Sequence, residues 1–97
     1  MGFGIIPGTL MTSALTITLY GTTACHLCEA AAALLQPFAG NGVRVNEVDI
    51  TEAAALMERY QLRIPVLKRE DTGDELDWPV SFEQLMLWLS DVIGEED

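Results

Sequence analysis

The feature that most constrains the fold of this chain is a change in the spacing of its apolar residues near residue 21, from strand-like alternation to helical spacing. Apolar residues and threonines alternate from Ala14 to Tyr20, which predicts a β-strand rich in β-branched side chains. From residue 25 to residue 38 the apolar side chains instead recur at helical spacing, and residues 43–48 alternate again. A strand, a helix and a strand in this order predict two parallel strands joined by a right-handed crossover.

The second half of the chain predicts another helix and then a hairpin. The helix can be capped by Asp49 or Thr51, and its apolar stripe comprises Ala53, Leu56, Met57 and Tyr60. Residues 64–69 and 75–78 read as two strands, and the turn between them is Asp71-Thr72-Gly73, with glycine where the backbone needs a positive φ.

A last helix completes a single domain with the element order βαβαββα. Ser81 and Gln84 have the spacing of a capping box, and the helix behind them has its apolar face at Phe82, Leu85, Met86, Leu89 and Val92. A chain of 97 residues has room for one core. We expect a flexible N-terminal extension over residues 1–13, the folded domain over 14–93 and a disordered acidic tail over 94–97.

The charge of the chain excludes one class of function. Asp and Glu number 15 against five Lys and Arg, so the formal charge is −10, and binding to nucleic acid would need a basic face. Residues 1–48 carry one base and two acids, whereas residues 49–97 carry four bases and thirteen acids. The apolar N-terminal stretch lacks the cations of an export signal, and no apolar run reaches the roughly 20 residues of a membrane span. We therefore expect a cytoplasmic protein, and as a separate expectation we take it to be a monomer.

Both cysteines lie in one motif, Cys25-His26-Leu27-Cys28, where the first strand gives way to the first helix. Free amides and the helix dipole at such a position lower a thiol pKa from about 8.5 into a range of roughly 3.5 to 7.5. Cys25 is therefore the predicted nucleophile. Cys28 lies almost one helical turn further on, at a separation that permits a disulfide, so it is placed to resolve a mixed disulfide.

Other readings of the cysteine motif stay open. The two cysteines could be small buried apolar residues. Structural zinc normally takes four ligands, and Cys25, Cys28 and His26 supply three at most, so no metal site is predicted within one chain. An iron–sulfur cluster shared between two chains could use one or both cysteines.

Three segments, residues 19–28, 63–67 and 75–79, resemble the glutaredoxin branch of the thioredoxin fold. More narrowly, they are similar to a group of small bacterial glutaredoxin-like proteins. The resemblance extends from about Leu15 to Val92. It implies an α/β fold of the thioredoxin-like, glutaredoxin type, with a four-stranded mixed sheet flanked by three helices, and it implies thiol–disulfide oxidoreductase activity.

The same resemblance assigns roles around the cysteines. It implies that Pro65 is cis and faces them, and that the backbone of Ile64 pairs with an extended substrate segment beside Cys25. It also implies that the loop after the fourth strand brings Trp78 and Ser81 to this end of the molecule. The acidic segment from residue 70 to residue 77 would then lie mostly away from the site.

The chain departs from the glutaredoxin pattern where glutathione binds. Thr22 stands where glutaredoxins commonly carry lysine, His26-Leu27 replaces Pro-Tyr, and residues 78–81 replace the Gly-Gly-acid segment at the last helix. Arg63 and the helix N-terminus at Ser81 are the groups that could substitute.

Each of these candidate binding residues also has a plainer reading. His26 either favours the thiolate or is a solvated surface residue. Arg63 could be an ordinary surface charge, and Trp78 could serve packing alone.

The sequence therefore predicts a Cys-x-x-Cys oxidoreductase with no tightly bound cofactor. Its expected substrates are protein disulfides or glutathione mixed disulfides, and its expected electron donor is glutathione or a reductase. Two alternatives are an iron–sulfur or metal carrier and a non-catalytic interaction module with a thioredoxin fold.

Overall fold

The computed structural model describes residues 15–40 and 42–93. Its strands are β1 (Leu15–Gly21), β2 (Val43–Asp49), β3 (Val66–Arg69) and β4 (Glu75–Asp77). Its α-helices are α1 (His26–Leu35), α2 (Ala54–Tyr60), α3 (Phe82–Trp88) and α4 (Ser90–Ile93), with short 3₁₀ turns at Gln36–Phe38 and Ile50–Glu52. The predicted extension over residues 1–13 and the predicted tail over residues 94–97 lie outside the described residues.

The four strands form one mixed sheet in the order β2-β1-β3-β4. Strand β2 runs parallel to β1, as the crossover through α1 requires, whereas β3 pairs antiparallel with both β1 and β4. The predicted order βαβαββα and the mixed sheet are confirmed. Strand β1 lies between β2 and β3, so the loop that follows it lies at the end of an inner strand rather than at the edge of the sheet.

The sheet separates two apolar clusters. On one face, Ile17, Leu19 and Leu67 pack in a core that includes side chains of α1 and α3. On the other face, Val66 and Ile50 pack with Tyr60, the last residue of α2. Strand residues alternate between the two faces, which is why neighbouring Val66 and Leu67 belong to different clusters.

The predicted helix boundaries need two corrections. Asp49 caps the 3₁₀ turn by accepting from the Thr51 amide, whereas α2 begins after Ala53 with no side-chain cap. The last helix is interrupted at Leu89, where ψ is 8°, and α4 follows it.

The predicted apolar face of the last helix is only partly buried. Leu85 and Leu89 are fully buried, but Phe82 and Met86 are 46% and 44% exposed. Ala53, predicted in the stripe of α2, is likewise exposed. Helical spacing alone does not show how wide a stripe the neighbouring elements cover.

Candidate active site

The cysteine motif begins where α1 begins. Ala24 has a φ of +55°, a left-handed conformation that turns the chain out of β1 and into the helix. Cys25 is the N-cap residue of α1, and its Sγ accepts a hydrogen bond from the Cys28 amide at 3.1 Å. The two sulfur atoms are joined as a disulfide, with the Cα atoms 5.2 Å apart. The Cys28 amide is one of the N–H groups in the first turn that have no partner within the helix, and such groups favour negative charge on a capping atom.

The two cysteines differ in their access to solvent. Cys25 is half-buried, whereas Cys28 is only 8% exposed and packs against the end of β1. Gly21 makes this packing possible, because a methyl group added to it would lie 2.8 Å from Cys28 Sγ. Cys25 Sγ is therefore the sulfur that is more accessible to a substrate. Gly21 was not among the sequence-predicted site residues, and its place at the strand end, four residues before Cys25, is the signal that could have indicated it.

Sheet register brings Pro65 to the same end of the sheet. Tyr20 pairs with Val66 in the antiparallel β1–β3 ladder, so the next positions are Gly21 and Pro65. The Ile64–Pro65 bond is cis, as the resemblance implied, and Pro65 is fully buried. Because Gly21 also lies against Cys28, the disulfide and residues 61–65, here called the proline loop, lie near the same end of β1.

Arg63, two residues before the proline, is held by two carboxylates. Its Nη2 donates to Asp77 Oδ1 at 2.7 Å and to Glu75 Oε1 at 2.8 Å, and its Nε donates to Asp77 Oδ2 at 3.1 Å. The hydrogen bonds from Arg63 lower the pKa of Asp77 and raise that of the guanidinium. Arg63 is therefore neither an isolated surface charge nor an uncompensated cation.

The pairing with Arg63 places the end of the acidic segment at residues 70–77 beside the proline loop. Glu75 and Asp77 point to the face of β4 opposite Leu76, and the register places Asp77 beside Val66, next to Pro65. Sequence reasoning missed both carboxylates, although their alternation around Leu76 in a strand following Arg63-Ile64-Pro65 is a usable signal.

Tyr60 packs beside this ion cluster. Its ring stacks on Tyr20 with centroids 4.2 Å apart, and its hydroxyl donates to Glu75 Oε2 at 2.7 Å. Burial and the hydrogen bond to Glu75 raise the pKa of Tyr60 from 10.0 to about 12. The Tyr60 hydrogen bond, followed by that from Arg63, lowers the pKa of Glu75.

A spectroscopic titration tests the contact between Tyr60 and Glu75. In a Tyr20→Phe variant, Tyr60 is the one tyrosine left, and we expect its phenolate absorbance to appear near pH 12 rather than pH 10. The raised pKa stabilises the fold below pH 10, and this contribution is lost as the pH rises towards 12. Adding Glu75→Gln should move the midpoint towards 10. A midpoint near 10 in the Tyr20→Phe protein, with circular dichroism still native, would contradict the contact.

Comparison with known proteins places this geometry in a family. Residues 16–90 match the model of the Glutaredoxin-like domain (DUF836). The chain belongs to the glutaredoxin-like family. No curated protein sequence matches it.

Solved structures agree with this assignment. A crystal structure of target protein XcR50 from X. campestris superposes with a TM-score of 0.67 at 42% identity, covering 77% of this chain and 96% of that one. Protein Ne2328 from Nitrosomonas europaea superposes with a TM-score of 0.61 at 26% identity, covering 97% and 95% of the two chains. The first thioredoxin domain of mouse protein disulfide-isomerase A4 gives 0.55 at 16% identity, covering 93% and 71%, which shows the shared fold alone.

His26, Trp78 and Ser81 are the other predicted site residues of the glutaredoxin-like domain. His26 is the first residue of α1 and is exposed. Trp78 is half-buried against the main core, and its amide donates to the Pro65 carbonyl at 3.3 Å, which ties β4 to the proline loop.

Ser81 closes the capping box with Gln84, so its hydroxyl already accepts from the Gln84 amide at 3.0 Å. Its backbone amide donates to Gln84 Oε1 at 2.9 Å. The amides of Ser81 and Gln84 are thus already in use at the start of this seven-residue helix, and binding of a glutathione carboxylate there stays a prediction.

A cavity of about 410 Å³ adjoins the disulfide on the side of β2. Leu19, Gly21 and Cys28 contribute to its wall, and its acidic lining residues are Glu29, Glu47, Asp49 and Glu52. Lys and Arg are absent from the lining in the part of the chain that the structure describes.

Within residues 15–40 and 42–93, no three His, Cys, Asp or Glu side chains converge as a metal-binding group. None of the helices in these ranges has the length and apolar character to cross a membrane. The cytoplasmic location and the monomeric state stay predictions.

Proposed function

We propose that this glutaredoxin-like domain is a thiol–disulfide oxidoreductase that reduces disulfides in polypeptides. The observation that carries the proposal is the capping geometry of Cys25, whose Sγ lies 3.1 Å from the Cys28 amide at the start of α1. In the reduced protein this amide and the helix dipole favour the Cys25 thiolate over the thiol. The thiolate is the form of cysteine that attacks a disulfide.

The reaction transfers two electrons from the dithiol to the substrate. The Cys25 thiolate attacks one substrate sulfur, a mixed disulfide forms, and the substrate S–S bond breaks with its electron pair on the second sulfur, which takes up a proton. Cys28 then releases its proton to solvent and attacks Cys25 Sγ, which frees the first substrate sulfur as a thiolate. The Cys25–Cys28 disulfide results, and an external thiol reductant, either glutathione or a dithiol protein, returns it to the dithiol.

Charge around the site supports a polypeptide substrate over a glutathione mixed disulfide. Arg63, the cation nearest Pro65 in sequence, is already paired with Glu75 and Asp77. The cavity beside the disulfide is lined by carboxylates, which repel the carboxylates of glutathione.

Alkylation of the Cys28→Ser variant by iodoacetamide tests the activated thiolate. We expect the rate to follow a pKa within the range of about 3.5 to 7.5 that helix N-termini produce. The matched control is Cys25→Ser, in which the buried Cys28 should react more slowly. If Cys25 titrates like an ordinary thiol near pH 8.5, the proposal is wrong.

A further inference from the structure

The proline loop, residues 61–65, is held at both ends by backbone hydrogen bonds. The amides of Arg63 and Ile64 both donate to the Tyr60 carbonyl, at 2.7 and 3.1 Å, which fastens the start of the loop to the end of α2. The Pro65 carbonyl accepts from Trp78, which fastens the other end to the segment after β4. The loop is therefore ordered by its neighbours on two sides.

The Arg63 side chain adds a third attachment. Its planar guanidinium binds Asp77 through two nitrogens and reaches Glu75 as well, and its centre lies 5.3 Å from the Tyr60 ring centroid. Glu75 is in turn bound by the Tyr60 hydroxyl. Such a forked ion pair fixes direction as well as distance, so the loop cannot shift along β4 without breaking it.

These attachments leave one backbone group of Ile64 for a substrate. Its amide is used by Tyr60, whereas among the described residues no donor reaches its carbonyl oxygen. An extended polypeptide beside the site could therefore donate an N–H to this carbonyl, which is half of the pairing that an added strand makes. A small thiol compound without an extended backbone would gain much less from the same group.

We propose that Arg63 is a positioning residue which, through Asp77 and Glu75, holds the Ile64 carbonyl in place for the backbone of a polypeptide substrate, and that it does not bind substrate carboxylates. This inference rests on the proposed function. It replaces the expectation that Arg63 substitutes for a glutathione contact, because Nε and Nη2 of the guanidinium already donate to the two carboxylates of β4, which compensate its charge.

The test uses reduced protein in single-turnover reactions with three probes. Each probe is a mixed disulfide with thionitrobenzoate, formed by a short unstructured peptide, by glutathione or by mercaptoethanol. Attack by the Cys25 thiolate on the probe thiol sulfur expels thionitrobenzoate, which is measured by its colour, and Cys28 then releases the probe as a thiol. The leaving group is the same in all three, so differences in rate report recognition.

For Arg63→Met we expect the rate constant with the peptide probe to fall about 10- to 100-fold, the loss typical of a displaced positioning group. The rate with the mercaptoethanol probe and the pKa of Cys25 from alkylation should not change, because the loop attachment does not touch either sulfur. Asp77→Asn should cause a smaller loss of the same selectivity. Combining it with Arg63→Met should add little, since both changes break one interaction.

Arg59→Met is the matched control. It removes one positive charge from the same face, yet Arg59 is 64% exposed and lies 3.8 Å from Glu75, so peptide selectivity should be retained. Should Arg63→Met fold poorly, Asp77→Asn still decides the matter, because the Asp77 side chain is 52% exposed and its replacement is conservative.

Three results would overturn the positioning role. An equal loss with the peptide and mercaptoethanol probes would show a general structural effect. A loss confined to the glutathione probe would show that Arg63 binds a carboxylate. Wild-type protein that reacts with none of the probes would contradict the proposed function and the positioning role together, whereas unchanged selectivity in both variants would contradict the positioning role alone.

Discussion

Replacement of Cys25 by serine should lower the rate of disulfide reduction by about 10³-fold or more, because the serine hydroxyl is not ionised and forms no mixed disulfide. The structure places this sulfur at the N-cap of α1, half-buried and therefore accessible, while Cys28 lies behind it. The reduction of a peptide disulfide, followed by thiol release under single-turnover conditions, measures the effect.

Cys28→Ser is the control for the Cys25 variant. It keeps the attacking sulfur but removes the resolving thiol, so we expect a covalent adduct with the substrate that accumulates and is visible by intact-protein mass spectrometry. If Cys25→Ser retained more than a small fraction of wild-type turnover while Cys28→Ser lost all of it without an adduct, the roles of the two cysteines would be reversed.

Replacement of Arg69 by alanine should destabilise the fold by about 2 to 4 kcal/mol, since it removes a nearly buried guanidinium that binds two carboxylates and leaves the Trp88 carbonyl without its donor. The Arg69 side chain is 6% exposed. It donates to Asp71 at 3.0 and 2.6 Å, to Asp91 at 3.0 and 3.1 Å, and to the Trp88 carbonyl at 2.6 Å. One guanidinium thus joins β3, the hairpin turn and the last helices.

Urea unfolding measures this loss, and Arg44→Ala on the exposed side of β2 is the control, with an expected change within about 0.5 kcal/mol. The cluster also predicts a pH dependence. Hydrogen bonds from Arg69 lower the pKa of Asp71 and Asp91 below 3.8, so their stabilising contribution is present above that pH and is lost as the pH falls further. Arg69→Ala should lack this acid-sensitive part. Equal stability of the two arginine variants would show that Arg69 does not hold these elements together.

The element order follows from local patterns in the sequence. The alternation of threonines with apolar residues predicts β1, and helical spacing predicts α1. The spacing of Ser81 and Gln84 predicts the capping box, and the structure contains all three. Gly73 has a φ of +85°, as the predicted turn requires. Because capping and period depend on residues a few positions apart, they can be derived without knowledge of the fold.

The position of Cys25 at the start of α1 also follows from the nearby sequence. A thiol at the first residue of a helix meets the helix amides whatever else the chain does, and the 3.1 Å contact with the Cys28 amide is this local effect. The expectation that Pro65 is cis and faces the cysteines has a different basis, because it comes from the family resemblance and no spacing within the chain indicates it.

The tertiary structure decided which charges meet. Arg63 is separated from Asp77 by fourteen residues and Arg69 from Asp91 by twenty-two, and each pair forms only because the sheet register and the last helices bring the side chains together. The same is true of Gly21 against Cys28 and of Tyr60 against Glu75. Hydrophobic period specifies which residues are buried on one element, but the partner of a buried or charged group depends on the packing of several elements at once. The sequence by itself therefore determined the dithiol and the order of the strands and helices, whereas the surroundings of the dithiol were set by long-range packing.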